Sequence, residues 1–399
     1  MKLSDAARLL GIFNYPPALD DISVVQAFPY LEILRQLETE HKIFGQYYCA
    51  IEDAVKSLHK DPARQLWART VSTYILHAPV ALAGKVPMPA TDGNIVGDML
   101  PIVILLPLIP RSIATYRAKG FTENEIRDLN TAYADGIRIV STTWGRAGVN
   151  QLYYWWLCLY AKASIFHTGN LMFELCSLPK TALWLHNKKT GVLTPIMCEN
   201  TFHRSGQVLG SAGCEDPQGS FTTTIEETPE GWYGFPASSH GVSSKKTFFP
   251  KSDWRCSLRP GDPILNIHIP RNVPFHQDAV MAALGQALRI VKDRFPEHGA
   301  QNFYCHSWLL DPQLEQILGS NTNIVRFGSL FTRHPIRNSG KDCFVYAFPP
   351  GCTIDHTAPQ DTRLRRGLLS HHLSGGYILG CAGLYIPKGT PPAANTTQP

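Results

Sequence analysis

The chain reads as an α+β protein, a helical N-terminal domain packed on a mixed β-sheet domain. Three observations predict this. Apolar residues recur at three- and four-residue spacing through the first 160 residues, whereas short strand-like runs dominate from about residue 170. Between residues 263 and 310 a strand, a long amphipathic helix and a second strand follow one another. The 399 residues are 44% hydrophobic and 17% charged, against roughly 25% charged in an average globular chain. Disordered chains need the opposite balance, and no heptad or Gly-X-Y period is present.

In the N-terminal part, Leu31, Leu34 and Leu37 mark one helix face. Ile51, Val55 and Leu58, then Leu66, Val71 and Ile75, mark two more. Thr122 with Glu125 has the spacing of a capping box ahead of Ile126, Leu129 and Tyr133. Residues 151–166 are apolar nearly all round, the mark of a buried helix. The apolar run 99–110 contains three prolines and is about half the ~20 residues that span a bilayer. No membrane span is expected.

Strands are expected at 171–178, 182–186, 221–224 and 231–235, with 199–219 as a polar loop. The pattern then gives a strand at 263–269, a helix at 276–295 and a strand at 302–310. The connection is long enough for a parallel crossover. Asp311 and Pro312 start a short helix, and 323–332 with 342–348 read as a strand pair. Asp361 caps a last helix that ends at Gly375-Gly376. The resulting domains are 1–163 (helical), 164–387 (sheet) and 388–399 (a disordered tail).

Lys plus Arg number 37 and Asp plus Glu 32, a net charge of +5. This falls short of the basic stripe of a nucleic-acid binder but would not repel a polyanionic cofactor. The ten cysteines form no C-x-x-C pair and show no zinc-ligand spacing, so no metal is expected. The start MKLSDAARLLGIF lacks the features of a signal peptide, which predicts reduced thiols and a cytoplasmic protein.

Chemistry-bearing residues gather on two strands. On the first, Ile264, Asn266 and His268 share one face, and Leu265, Ile267 and Ile269 the other. On the second, Phe303, Cys305 and Ser307 alternate with Tyr304, His306 and Trp308. His268 is a candidate general base, and Cys305 or Ser307 a nucleophile or proton donor. Equally, His268 could satisfy a buried backbone group and Cys305 simply fill core space. Adjacent Cys305 and His306 point to opposite faces and cannot form a dyad. The turn Arg271-Asn272-Val273 precedes the unpaired first amides of the long helix, a candidate anion site without a glycine. A second candidate is the Q-x-x-G-x-A string at 207–212, which lacks a strand before it and a long helix after it.

The strings GDPILNIHIP (261–270), YCHSWLLDPQL (304–314), SNTNIVRF (320–327) and DTRLRRGLLSHHLSGG (361–376) resemble GNAT-like acyltransferases with a helical N-terminal domain. So do Tyr116 to Gly120, Trp155-Trp156 and Phe166 to Leu175, which extends the resemblance over residues 95–386. It implies a splayed sheet in which acyl-CoA or acetyl-CoA enters between the fourth and fifth strands, here 264–269 and 303–310. The backbone at Ile267 to Ile269 would pair with pantetheine, and Arg271, Asn272 and Val273 would hold the pyrophosphate. His268 would be the base for direct transfer to a small-molecule amine, with Ser307 or Cys305 protonating the leaving thiolate. The long 196–260 insert and the turn without glycine depart from that pattern. Two alternatives remain. One is a GNAT-shaped binding or scaffold protein without catalysis, suggested by the turn without glycine and by the lack of an acidic residue at the strand centres. The other is a thiol hydrolase using Cys305 with His268.

Overall fold

A computed structural model describes residues 1–9, 11, 16–89, 95–271, 273 and 275–387. The expected tail at 388–399 lies outside these residues, as does Asn272. The chain divides into two compact units, 1–166 and 167–399.

The first unit is helical, and its boundaries follow from local chemistry. Thr122 caps the Glu123–Trp144 helix with the reciprocal bonds of a capping box, and Gly145 ends it in the left-handed conformation at φ 68°. Asp61 accepts from the Arg64 amide at the start of the Pro62–His77 helix, with Pro62 at its first position. Asn150 caps Gln151–Ala161 in the same way. This helix ends earlier than the apolar run suggests, because Ala163 takes a positive φ of 49° and the chain turns into a strand. The apolar segment from Met99 to Ile109 is core: Met99, Ile102, Ile104, Leu105, Leu106 and Ile109 are fully buried. Buried Asp98 beside it is paired with Arg146. No helix among the described residues is long and apolar enough to cross a membrane.

A six-stranded mixed sheet organises the second part of the chain. Its strands are β1 (Ile165–Thr168), β2 (Leu171–Ser177), β3 (Pro263–His268), β4 (Phe303–Ser307), β5 (Thr332–Pro335) and β6 (Cys381–Tyr385), in spatial order β1-β2-β3-β4-β6-β5. β3 runs antiparallel to β2 and parallel to β4, and β6 lies antiparallel to both β4 and β5. The parallel pair is joined by the Gln277–Arg294 helix, whose Val280, Ala283, Leu284, Ala287 and Val291 are buried. Gly169 permits its close approach, since a Cβ there would lie 3.2 Å from that of Ala283.

Residues 178–262 form an insert rich in short strands. Ala182–Asn187 pairs with Leu193–Met197 and Trp254–Leu258, and Gly231–Gly234 pairs with Thr247–Pro250. Trp184, Met197, Phe202 and Leu258 of the insert pack with Ile264, Tyr304, Ala382 and Leu384 of the sheet. The 199–219 segment is only partly a loop, for Asn200–Phe202 pairs with Phe221–Thr223.

The expected strand pair at 323–332 and 342–348 is a misreading. Asn323–Ser329 and Asp342–Ala347 are helices, and the strand at this point is Thr332–Pro335. Ile324 and Phe327 stand at i, i+3, as do Phe344 and Ala347, so each segment buries a helical stripe. β-Branched and aromatic content suggested strands, but packing periodicity decided the outcome. β6 was not foreseen. The last helix is Arg363–Leu373, with Thr362 as its cap, while Asp361 pairs with Arg365.

Phe303 is the pin of the sheet, fully buried between the rings of Phe173 and Tyr385 at 5.9 and 6.1 Å. Phe303→Ala is expected to cost about 3–5 kcal/mol. Urea unfolding followed by tryptophan fluorescence measures this as a lower midpoint.

Candidate functional site

The register of β3 against its neighbours builds the site. β3 pairs with β2 along its whole length, from Pro263 opposite Ser177 to His268 opposite Met172. It pairs with β4 only at Leu265 opposite Phe303 and Asn266 opposite Tyr304. Beyond these positions β3 continues through Ile267 and His268, and β4 through Cys305, His306 and Ser307, with no ladder between them. β4 stays paired to β6 as far as Ser307 opposite Cys381. The sheet therefore opens between β3 and β4, and each strand presents backbone groups to the opening.

Residues directly opposite each other in a ladder share a face. Asn266 faces Glu174 across the β2–β3 ladder, so Glu174, Asn266 and His268 lie on one side of the sheet. Their side chains meet. His268 Nε2 lies 2.9 Å from Glu174 Oε2, and Asn266 Nδ2 donates to the same oxygen at 2.9 Å. A carboxylate only accepts, so Nε2 carries a proton toward Glu174, and whenever the ring is neutral its lone pair is on Nδ1. Glu174 is buried and His268 is half-buried. Burial alone would raise the Glu174 pKa, but hydrogen bonding and charge from His268, with the Asn266 bond, outweigh it and hold the carboxyl below its ordinary value. The pair thus adds stability above the unfolded carboxyl pKa, and this part is lost as pH falls through the lowered value. Asn266 Oδ1 is buried with no partner among the described residues.

Glu174 overturns the expectation that the strand centres hold no acidic residue. Its strand, LMFELCS, reads as apolar, and its partner His268 is 94 residues away. A lone carboxylate in such a strand was the available signal, because a buried charge needs a partner.

The same register separates the other candidates from His268. Tyr304 is in register with Asn266, so Tyr304 and His306 share the His268 face, and Cys305 and Ser307 share the face of Leu265 and Ile267. Cys305 is fully buried, and desolvation pushes its thiol up to about 12. Ser307 Oγ accepts from the Leu309 amide at 3.1 Å and caps the Trp308–Leu310 turn. Ile267 is buried, Ile269 is half-buried and Arg271 is exposed. Arg271 donates to the Val345 carbonyl at 2.8 Å and lies 5.2 Å from the centre of the Tyr346 ring. Half-buried Val273 lies two residues further on, and His276 caps the long helix without a side-chain bond among the described residues. The 207–212 string sits in the insert instead, where Gly206 and Gly210 take positive φ and the Ala212 amide donates to Asn338 O. Nearby, His203 Nδ1 lies 2.8 Å from Ser205 Oγ within one turn. Among the described residues no three metal-ligating side chains gather into a metal site.

A family model described as a GNAT-like C-terminal domain matches residues 165–385, more than half of the chain. The chain belongs to this family. Three solved structures share its fold over 97% of this chain and 99–100% of theirs. An acyltransferase mutant with octanoyl-CoA and an acyltransferase with decanoyl-CoA each align at a TM-score of 0.58, with 17% and 18% identity. An acyltransferase with CoA and 10C-teicoplanin aligns at 0.57 with 17% identity. No curated protein matches the chain. GNAT-like architecture thus holds for the sheet domain, with helices preceding it from the N-terminus to residue 161.

Nitrogen-detected NMR of the imidazoles is expected to show the His268 proton on Nε2. Glu174→Gln should convert this to a mixture of tautomers, because an amide can donate as well as accept. At pH 8 a thiol-selective reagent should leave Cys305 unlabelled until the protein is denatured.

Proposed function

We propose that the chain is an acyl-CoA-dependent N-acyltransferase that moves its acyl group directly to an amine on a small molecule. The observation that carries this reading is the Glu174–His268 pair beside the point where β3 and β4 part. The strand ends past the last β3–β4 bridge, Ile267 to Ile269 on one side and His306 on the other, suit the amides of a pantetheine arm. The first-turn amides of the long helix and the mild net charge of +5 suit its phosphates. Arg271, Asn272 and Val273 are proposed to hold them. The neighbours bound to octanoyl- and decanoyl-CoA favour acyl chains longer than acetyl.

Each residue then has a task. His268 Nδ1 takes a proton from the attacking amine, and Glu174 fixes the tautomer and stabilises the imidazolium that forms. Asn266 holds the carboxylate in place. The base acts from the face opposite Cys305, which speaks against a thiol hydrolase. Glu174 likewise answers one of the two grounds for a scaffold without catalysis, since a buried carboxylate oriented on a half-buried histidine suits a general base.

Isothermal titration with acetyl-, octanoyl- and decanoyl-CoA tests binding, and no heat with folded protein would sink the proposal. With a primary amine as acceptor, His268→Ala should lower kcat by about 10²–10⁴-fold with little change in acyl-CoA affinity.

A further inference from the structure

His306 has no part in the scheme so far, yet the sheet register places it with care. The β3–β4 ladder sets Asn266 opposite Tyr304, and two residues further on each strand come His268 and His306. Both imidazoles point to the same side, one on each lip of the opening. Paired strands lie about 4.8 Å apart, and past Asn266 and Tyr304 no bridge joins the two. A thioester placed between the lips would have His268 on one flank and His306 on the other.

We propose that the His306 imidazole donates a hydrogen bond to the thioester carbonyl oxygen of bound acyl-CoA, as the side-chain stabiliser of the developing oxyanion. This rests on the acyltransferase reading above. The amine nitrogen forms a bond to the thioester carbon, and the carbonyl π electrons move onto oxygen, which accepts a hydrogen bond from the His306 N–H. The amine proton goes to His268 Nδ1. Collapse restores the carbonyl and breaks the carbon–sulfur bond, and the CoA thiolate leaves with its electron pair. The His268 proton then passes to that thiolate, so the products are the amide and free CoA thiol.

Three features support this division of labour. His306 is exposed, while Tyr304 and Cys305 before it on the strand are buried. A ligand that enters between the strand ends can therefore reach it. Desolvation is the largest influence on it and lowers its pKa; the Asp342 carboxylate pulls the other way, and His268 adds to the lowering. The net direction favours a neutral ring, which donates one N–H and does not compete with His268 for the amine proton. Finally, His334 stands on the same face, in register with His306 through Ala382. It is fully buried with desolvation holding it at about 4, so it leaves the row without a second cation. His268, Asp342 and His334 are the titratable groups felt by or feeling His306.

The test uses a CoA analogue in which a methyl ketone replaces the thioester, labelled with ¹³C at the carbonyl. In the wild type the bound carbonyl resonance is expected to move downfield. His306→Phe should abolish that displacement while the analogue still binds, and His306→Gln, which keeps an N–H donor, should retain part of it. In turnover, His306→Phe should lower kcat by about 10²–10³-fold at unchanged KM for acyl-CoA, with the glutamine variant in between. An equal displacement in wild type and His306→Phe would overturn the role of His306 and leave the acyl-CoA reading standing. Equal loss in both variants would overturn it as well. Failure of the analogue to bind the wild type would overturn both.

Discussion

A carboxylate buried in a sheet must be paired or it becomes neutral, and in this chain that requirement organises the site. Glu174 sits in β2 with little exposure, and its oxygen is held by two residues of the adjacent strand, Asn266 and His268. Those partners are two apart on β3, so they share a face only because the strand is extended and in one particular register. A slip of one residue would send both to the opposite side and strand the charge. The hydrogen-bonded pair and the ladder thus specify each other. From the fixed register of β3 everything else at the site follows, including the parting from β4 and the placement of His306.

The opening in the sheet is as much a constraint as the pairing. Past Asn266 opposite Tyr304 no further bridge joins β3 to β4, although β2 and β6 hold the far edges of the same strands. Such a site is held by ladders on its outer sides and has none on its inner side. Paired flanks keep the side chains aimed, and inner edges without a ladder give an extended amide-bearing ligand something to pair with. Chemistry and binding are thereby supplied by one defect in one sheet.

Sequence patterns made the strand–helix–strand core legible because the apolar period changes sharply from two to 3.6 and back, with Pro263 and Pro270 as punctuation. His268 could be singled out for the same reason. The face it shares with β4 could not, since alternation orders residues within a strand and says nothing of how two strands are registered. Cys305 and Ser307 were therefore grouped with His268, and His306 was set aside. Glu174 escaped because its meaning depends on a partner 94 positions away. β6, the strand CAGLY, carries small residues that fit against Phe331 and Leu310, where a Cβ on Gly383 would come within 2.7 Å of Phe331. Its identity as a strand comes from its neighbours more than from its own composition.

The account depends on acyl-CoA occupying the gap between β3 and β4. Hydrogen–deuterium exchange with and without decanoyl-CoA measures this directly. Slowed exchange in peptides covering 264–270 and 304–308, with the β2–β3 ladder already protected in the free protein, is the expected result. Slowed exchange confined to other segments, with those two peptides unchanged at saturating ligand, would contradict it.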